Sequence, residues 1–94
     1  MKAKFPHGGI YFTRGVNDMV SEKDDFAMFA NESLGRHLTG DWGDVCEEDR
    51  QSNEEALKDG SRLFSVYKRE GLPTIWIITE ADRSATTVLF PDEY

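Results

Sequence analysis

The sequence predicts an α+β domain in which an antiparallel sheet of three to four strands carries two to three helices packed on one face. Two patterns support this prediction: residues 22–38 repeat apolar side chains at helical spacing, whereas residues after Gly60 alternate with a period of two. A hydrophobic content of 38%, with 12% aromatic residues, is enough for one core and argues against disorder. Because 94 residues leave no room for a second core, residues 1–94 are expected to form a single domain.

A short strand and a brief helix are predicted at the start of the chain. Residues 8–13 alternate around two apolar side chains, which favours a strand entered through a flexible glycine pair. Thr13 is a suitable N-cap for a helix over residues 14–20.

The strongest helix signal covers residues 22–38. Ser21 has a carboxylate three residues on, at Asp24, and this spacing is typical of a capping box. Gly40 ends the predicted helix, because a glycine just past the last periodic residue is the usual terminator. The apolar stripe of this helix consists of Phe26, Phe29, Ala30, Leu34 and Leu38.

A third helix is predicted over residues 46–59, with Asp44 as its N-cap, and is so polar that only a narrow stripe can reach the core. Residues 63–67, 74–79 and 86–90 then predict an antiparallel meander, because they are rich in β-branched and aromatic side chains. The predicted core comprises Phe26, Phe29, Leu34, Leu38, Leu63, Val66, Ile75, Ile77, Val88 and Leu89.

Several classes of function are disfavoured. The sequence has no glycine-rich phosphate loop, dinucleotide fingerprint, nucleophile elbow or paired-histidine metal motif, so no cofactor and no metal are expected. No apolar run is long enough for a membrane span or a signal peptide, which predicts no membrane partner and a cytoplasmic location. Cys46, the single cysteine, is expected to be a partly buried apolar residue rather than a reactive thiol. Nothing specifies an oligomeric state.

The net charge of −7 is concentrated in residues 41–59, which hold eight acidic against two basic residues. Such a field repels a phosphate backbone, so direct nucleic-acid binding is not expected and a protein partner is favoured. Like charges four residues apart destabilise a helix slightly, and their crowding therefore suggests a binding surface. The candidate partner-binding residues are Asp41, Trp42, Asp44, Glu47, Glu48, Asp49, Glu54 and Glu55.

The turn after the second helix has two interpretations. His37 lies near Asp41 and Asp44 in sequence, and a histidine beside carboxylates could act as a general base. The structural alternative is that His37 favours the negative end of its helix, while the two acids satisfy backbone donors in the turn. Trp42 is either a plug at the edge of the core, which we favour, or an exposed anchor for a partner.

The loop over residues 79–87 is the second candidate for chemistry. Glu80 or Asp82 could serve as a base and Arg83 as a charge clamp on a phosphodiester, with His37 as the acid of a small nuclease or hydrolase. The structural alternative is a hairpin turn with a surface ion pair, and the sequence favours it. A catalytic role would require these residues to meet in one cleft.

Residues 36–50, RHLTGDWGDVCEEDR, and residues 76–94, WIITEADRSATTVLFPDEY, resemble a family of short bacterial proteins of unknown function. Members are often encoded on plasmids, prophages and other mobile elements. Some carry the label of a type I restriction modification subunit, which would imply methyl transfer from S-adenosylmethionine. This chain has neither a glycine-rich cofactor loop nor the Asn-Pro-Pro-aromatic motif of such enzymes, so that label does not apply.

These observations together favour a non-enzymatic, acidic protein-binding domain. One specific version is an inhibitor of a nucleic-acid-binding host defence complex, which presents carboxylates where phosphates would lie. The hydrolase built on His37 and the Glu80 to Arg83 loop is the alternative, and a protein without assignable activity is the third possibility.

Overall fold

The computed structural model describes residues 3–94. Within these residues there are four strands and three helices, followed by a short 3-10 turn at Pro91–Glu93. In chain order the elements are β1 (Gly9–Phe12), α1 (Arg14–Glu22), α2 (Asp24–Leu38), α3 (Glu47–Asp59), β2 (Leu63–Arg69), β3 (Leu72–Thr79) and β4 (Ala85–Leu89). The predicted α+β class is confirmed, with the helices packed against a four-stranded sheet.

The sheet has the strand order β1-β4-β3-β2 and is mixed. β2, β3 and β4 form the predicted antiparallel meander. β1, in contrast, pairs in parallel with β4, with Ile10 opposite Thr86 and Phe12 opposite Val88. The expectation of a wholly antiparallel sheet is corrected in this respect. The helical connection leads from β1 to β2 at the opposite edge of the sheet, and the two antiparallel steps from β2 to β4 then place β4 beside β1 in the same direction.

The helix caps differ from the sequence prediction at two of three positions. Thr13 caps α1 as predicted, accepting a hydrogen bond from the Val16 amide. Ser21 does not cap α2, because it lies inside α1 and its hydroxyl donates to the Asp18 carbonyl oxygen. Asp44 does not cap α3 either, since its carboxylate accepts from the Lys68 amide.

The core lies mainly between the helices and one face of the sheet. Seven of the ten predicted core residues are buried, and Leu34, Leu38 and Val66 are only half-buried. Val66 was assigned to the wrong face, because Leu63 fixes the alternation of β2 and places Ser65 and Tyr67 on the helix side. The prediction that Cys46 is partly buried is also wrong. Cys46 is exposed at the start of α3.

The free edge of β2 is closed by neighbouring segments. The Val66 amide donates to the Trp42 carbonyl oxygen, and the Asp44 amide donates to the Val66 carbonyl oxygen. Gly43 lies between them with φ of 74°, and a Cβ there would meet the Val66 carbonyl, so this close approach requires glycine. The Asn53 side chain of α3 continues the pairing, since its amide group exchanges two hydrogen bonds with the Phe64 backbone. This closure anchors the polar helix beside the sheet.

No helix within residues 3–94 is long and apolar enough to cross a membrane.

Candidate functional site

His37 lies in the core, with none of its surface exposed. α2 aims it at the sheet, where Nδ1 is 2.6 Å from Ser65 Oγ and Nε2 is 2.9 Å from Thr79 Oγ1. The rings of Phe5 and Trp42 pack edge-on against it, with ring centroids 5.6 Å from the imidazole centroid in both cases. Both ring nitrogens are therefore occupied by hydroxyl partners.

A chain of hydrogen bonds fixes the protonation of this imidazole. The Thr86 hydroxyl donates its single proton to the His7 carbonyl oxygen, because a carbonyl oxygen can only accept. In its bond with Thr79, the Thr86 hydroxyl oxygen must therefore accept, and Thr79 donates. Thr79 has then used its single proton and must accept from Nε2 of His37. Ser65 consequently donates to Nδ1. The network is fully satisfied by a neutral His37 that carries its proton on Nε2.

Burial lowers the pKa of His37 to about 3, because the charged imidazolium would lose its hydration. No carboxylate hydrogen-bonds to the ring in the described part of the chain, so no counter-charge offsets this loss. A neutral histidine closed off from solvent cannot exchange protons with a substrate. The contacts of His37 therefore agree with a structural role and not with that of a general base.

The loop between β3 and β4 has a structural role of its own. Arg83, which adopts a left-handed backbone with φ of 60°, donates from its guanidinium to the carbonyl oxygens of Ser61 and Ala56 at 2.7 and 3.1 Å. It thereby holds the C-terminal end of α3, where a positive charge also favours the helix dipole. Asp82 accepts from the Ser84 amide within the turn, and Glu80 is exposed.

The proposed catalytic trio does not share a cleft. Thr79 connects His37 to the strand that precedes the loop, but the imidazole faces the core. The Arg83 guanidinium is committed to carbonyl oxygens at the end of α3. The condition set for a hydrolase is therefore not met by the geometry.

Trp42 is a plug of the core, as favoured from the sequence, and is only 3% exposed. It stacks on Phe5 with ring centroids 6.2 Å apart, and its indole N–H donates to a Glu54 carboxylate oxygen at 2.8 Å. Asp41 in the same turn accepts two hydrogen bonds from Arg36, whose guanidinium lowers the pKa of that carboxyl group. Trp42 is therefore not an exposed anchor, whereas Asp41 and Asp44 on either side of it are exposed.

The acidic residues of α3 are partly explained by helix stability. Glu47, Glu48 and Asp49 occupy its first turn, where carboxylates favour the helix dipole, and the N-cap Cys46 supplies no side-chain hydrogen bond. Glu47 also pairs with Arg50, at 2.6 Å. This corrects the expectation that the crowding of acids has no stabilising role. Glu48, Asp49 and Glu55 are exposed and make no side-chain hydrogen bond or salt bridge within residues 3–94.

A solvent-accessible groove of about 350 Å³, which we call the aromatic groove, lies where α3 meets the outer face of the sheet. Its floor consists of the β2 and β3 side chains Phe64, Trp76 and Ile78. Tyr94 near the end of the chain and Asp49 and Ser52 of α3 also line it. Asn53 and Arg62 complete the lining.

The rings of the groove are set at steep angles to one another. Phe64 and Trp76 have centroids 5.1 Å apart and an interplanar angle of 85°, and Trp76 and Tyr94 are 5.6 Å apart at 65°. Arg62 bridges to Tyr94, because its guanidinium donates to the phenol oxygen at 2.7 Å and lies 5.6 Å from the ring centroid. The three rings and the guanidinium form one connected surface cluster.

Sequence reasoning missed this groove, although β3 contained a signal for it. Ile75 and Ile77 lie on the helix side, while Trp76 and Ile78 alternate with them and face the opposite side. A strand that is apolar on both faces requires a cover for each, and the helices cover only one. The apolar residues on the outer face of the sheet, including Phe64, could therefore have been predicted from the sequence as a candidate site.

The comparisons with known proteins add no assignment: no protein-family model, curated protein or solved structure matches this chain. The described residues also contain no group of three or more histidine, cysteine or acidic side chains arranged to hold a metal ion.

Proposed function

We propose that this chain is a non-catalytic binding domain whose α3 surface docks on a basic face of a protein partner. The observation that carries the proposal is the position of Glu48, Asp49 and Glu55, which are exposed beside the open aromatic groove and have no side-chain partner of their own within residues 3–94. Carboxylates on such a surface steer a basic partner into contact, and an adjoining apolar groove supplies area that desolvates on binding.

The charge distribution also suggests the class of partner. Proteins that bind nucleic acids present basic grooves, and a helix lined with carboxylates can compete with phosphates for such a groove. The resemblance to proteins of mobile elements makes an inhibitor of a host defence complex the specific form of the proposal. In this form the protein acts in the cytoplasm and makes no direct contact with nucleic acid.

The test measures how fast the chain associates with a partner isolated from its native host. We expect the variant Glu48→Gln, Asp49→Asn, Glu55→Gln to associate about tenfold more slowly than the parent at low ionic strength, because steering depends on these charges. The difference should shrink as salt screens the field over about 8–10 Å.

A matched control changes the same number of charges elsewhere. Asp18→Asn, Glu22→Gln, Glu70→Gln alters three exposed carboxylates outside α3 and should leave most of the association rate unchanged. If both triple variants slow association equally, the total charge of the protein matters and the α3 surface does not. If neither variant slows it, the proposal is wrong.

A further inference from the structure

We infer that the aromatic groove is a binding site for the guanidinium group of an arginine side chain on the partner. This inference deepens the proposed function and rests on it for the source of the arginine, whereas the chemistry of the groove can be tested separately. It depends on three observations: the arrangement of the rings, the position of Arg62 and the carboxylates at the rim.

The rings of Phe64, Trp76 and Tyr94 provide faces that attract cations. An aromatic face carries partial negative charge, and tryptophan gives the strongest attraction. Because the three rings meet at steep angles, a group in the groove contacts the faces of some rings and the edges of others. Trp76 is half-buried at the floor of the groove, so its ring is partly shielded from water. Cation–π attraction strengthens when solvent is partly excluded.

Arg62 shows that the groove accepts a guanidinium. Its side chain lies over the Tyr94 ring and donates to the phenol oxygen. A second surface depression adjoins the groove, and Arg62 lines it together with Glu48, Glu55 and Asp59. Within residues 3–94 Arg62 nevertheless forms no salt bridge with these carboxylates. A guanidinium with carboxylates nearby therefore rests against an aromatic wall of this groove.

The rim of the groove favours positive charge. Asp49 lines the groove together with Tyr94 and makes no side-chain hydrogen bond or salt bridge within the described residues. A carboxylate can accept paired hydrogen bonds from a planar guanidinium, whereas an ammonium offers only a point charge. The combination of ring faces, a carboxylate and a volume of about 350 Å³ fits an arginine side chain.

Arg62 is then a resident competitor for the incoming group. It occupies the Tyr94 face and repels a second cation, so its removal should raise the affinity for an external guanidinium. A merely structural Arg62 would have the opposite effect, because losing its bond to Tyr94 would loosen the wall. The substitution Arg62→Gln thus separates the two roles by the direction of the change.

The experiment titrates the isolated protein with N-acetyl-arginine amide and follows the indole N–H resonance of Trp76 by NMR. The matched ligand is N-acetyl-citrulline amide, which has nearly the same shape without the charge. We expect saturable binding of the arginine derivative and roughly tenfold weaker binding of the citrulline derivative, which corresponds to a cation–π and carboxylate contribution of about 1.4 kcal/mol. The indole resonance of the buried Trp42 reports that the fold is intact.

Variants complete the test. Arg62→Gln should bind the arginine derivative about three- to fivefold more tightly, while Lys58→Gln, which removes one positive charge from α3, should change the affinity less than about twofold. Trp76→Phe and Trp76→Leu lack that indole, so their binding is measured by isothermal titration calorimetry beside the parent. Trp76→Phe should weaken binding and Trp76→Leu should abolish it. Equal binding of the two ligands, absence of saturation, or weaker binding by Arg62→Gln would overturn the inference.

The two proposals fail in different ways. Loss of charge-dependent steering, with arginine still preferred over citrulline in the groove, would reject the proposed function alone. Steering by the α3 carboxylates without that preference would reject only the guanidinium site.

Discussion

The two tryptophans of this chain belong to aromatic clusters of similar composition and opposite exposure. Trp42 packs with Phe5 and His37 on the helix side of the sheet and is 3% exposed. Trp76 packs with Phe64 and Tyr94 on the outer face and is half-buried in a groove. The difference lies in what covers each cluster.

The Trp42 cluster is enclosed by α2, α3 and the N-terminal segment, whose Lys4 amide donates to the Leu38 carbonyl oxygen. The Trp76 cluster is bordered by Arg62 and by Asp49, Ser52 and Asn53 of α3, and it remains open to solvent. Trp42, in the turn between two glycines, thus belongs to the core, whereas Phe64 and Trp76, on strands β2 and β3, line the candidate site. Exposure, rather than the type of residue, separates the structural cluster from the proposed binding cluster.

Truncation of each tryptophan tests this contrast most directly. Trp42→Ala should lower the free energy of unfolding by about 3–5 kcal/mol, because it opens a cavity and removes the partner of Glu54. Trp76→Ala should cost only about 1–2 kcal/mol, since its side chain is already partly hydrated. Urea unfolding followed by far-UV circular dichroism measures both. A cost for Trp76→Ala equal to that for Trp42→Ala would contradict the assignment of the groove.

His37 should make stability depend on pH in a defined window. Burial lowers its pKa to about 3 in the folded protein, so the unfolded chain takes up a proton first as the pH falls below about 6.5. The contribution of the buried neutral His37 to stability is complete above that pH and is lost as the pH falls towards 3. Between pH 7.5 and 5.0 the free energy of unfolding should therefore decrease by about 2 kcal/mol. Urea unfolding across this range measures the loss.

Two variants assign that pH dependence to the core. His37→Gln should be less stable at neutral pH but should show a flattened profile between pH 7.5 and 5.0. His7→Gln, which changes the other histidine and leaves its backbone carbonyl in place, should retain the parent slope. Carboxyl groups with lowered pKa, such as Asp41, lose their contribution at more acidic pH, so they do not account for this window. An unchanged slope in His37→Gln would show that the imidazole is accessible.

Within residues 3–94, Arg62 and Arg83 are two of the four arginines whose guanidinium lies over an aromatic ring, on Tyr94 and Phe5 respectively. Their effects on stability should differ in the same way as those of the two tryptophans. Arg83→Gln should destabilise the fold by about 1–2 kcal/mol, because Arg83 donates to carbonyl oxygens at the end of α3. Arg62→Gln should change stability by less than about 0.5 kcal/mol, as is usual for an exposed surface position. Thermal unfolding of the two variants beside the parent provides the comparison. The reverse order would make Arg62 structural and Arg83 a candidate for binding.

Local patterns were sufficient for most elements of the fold. The helices over 14–22, 24–38 and 47–59 lie within a few residues of their predicted positions, because helical spacing and glycine terminators act over short distances. Capping by Ser21 and Asp44 was wrong, since a hydroxyl or carboxylate near a helix start has competing backbone partners.

The candidate site was predicted only in part. The acidic character of α3 follows directly from its composition, and three of its carboxylates remain in the proposed surface. The sequence left a catalytic role of His37 and Arg83 open as an alternative, because it shows a polar side chain but not whether the hydrogen bonds of that side chain are made inside the protein. The groove depends on contacts between α3, β2, β3 and Tyr94, which are distant in sequence.

By itself, the sequence determined the α+β class, the positions of the helices and the acidic surface, because periodicity and charge are properties of neighbouring residues. Only the tertiary structure decided that β1 joins β4 in parallel, that Trp42 is buried and that Trp76 is not. These features depend on which segments cover each face of the sheet. Burial of a side chain is set by contacts across the whole chain, and no local pattern specifies them.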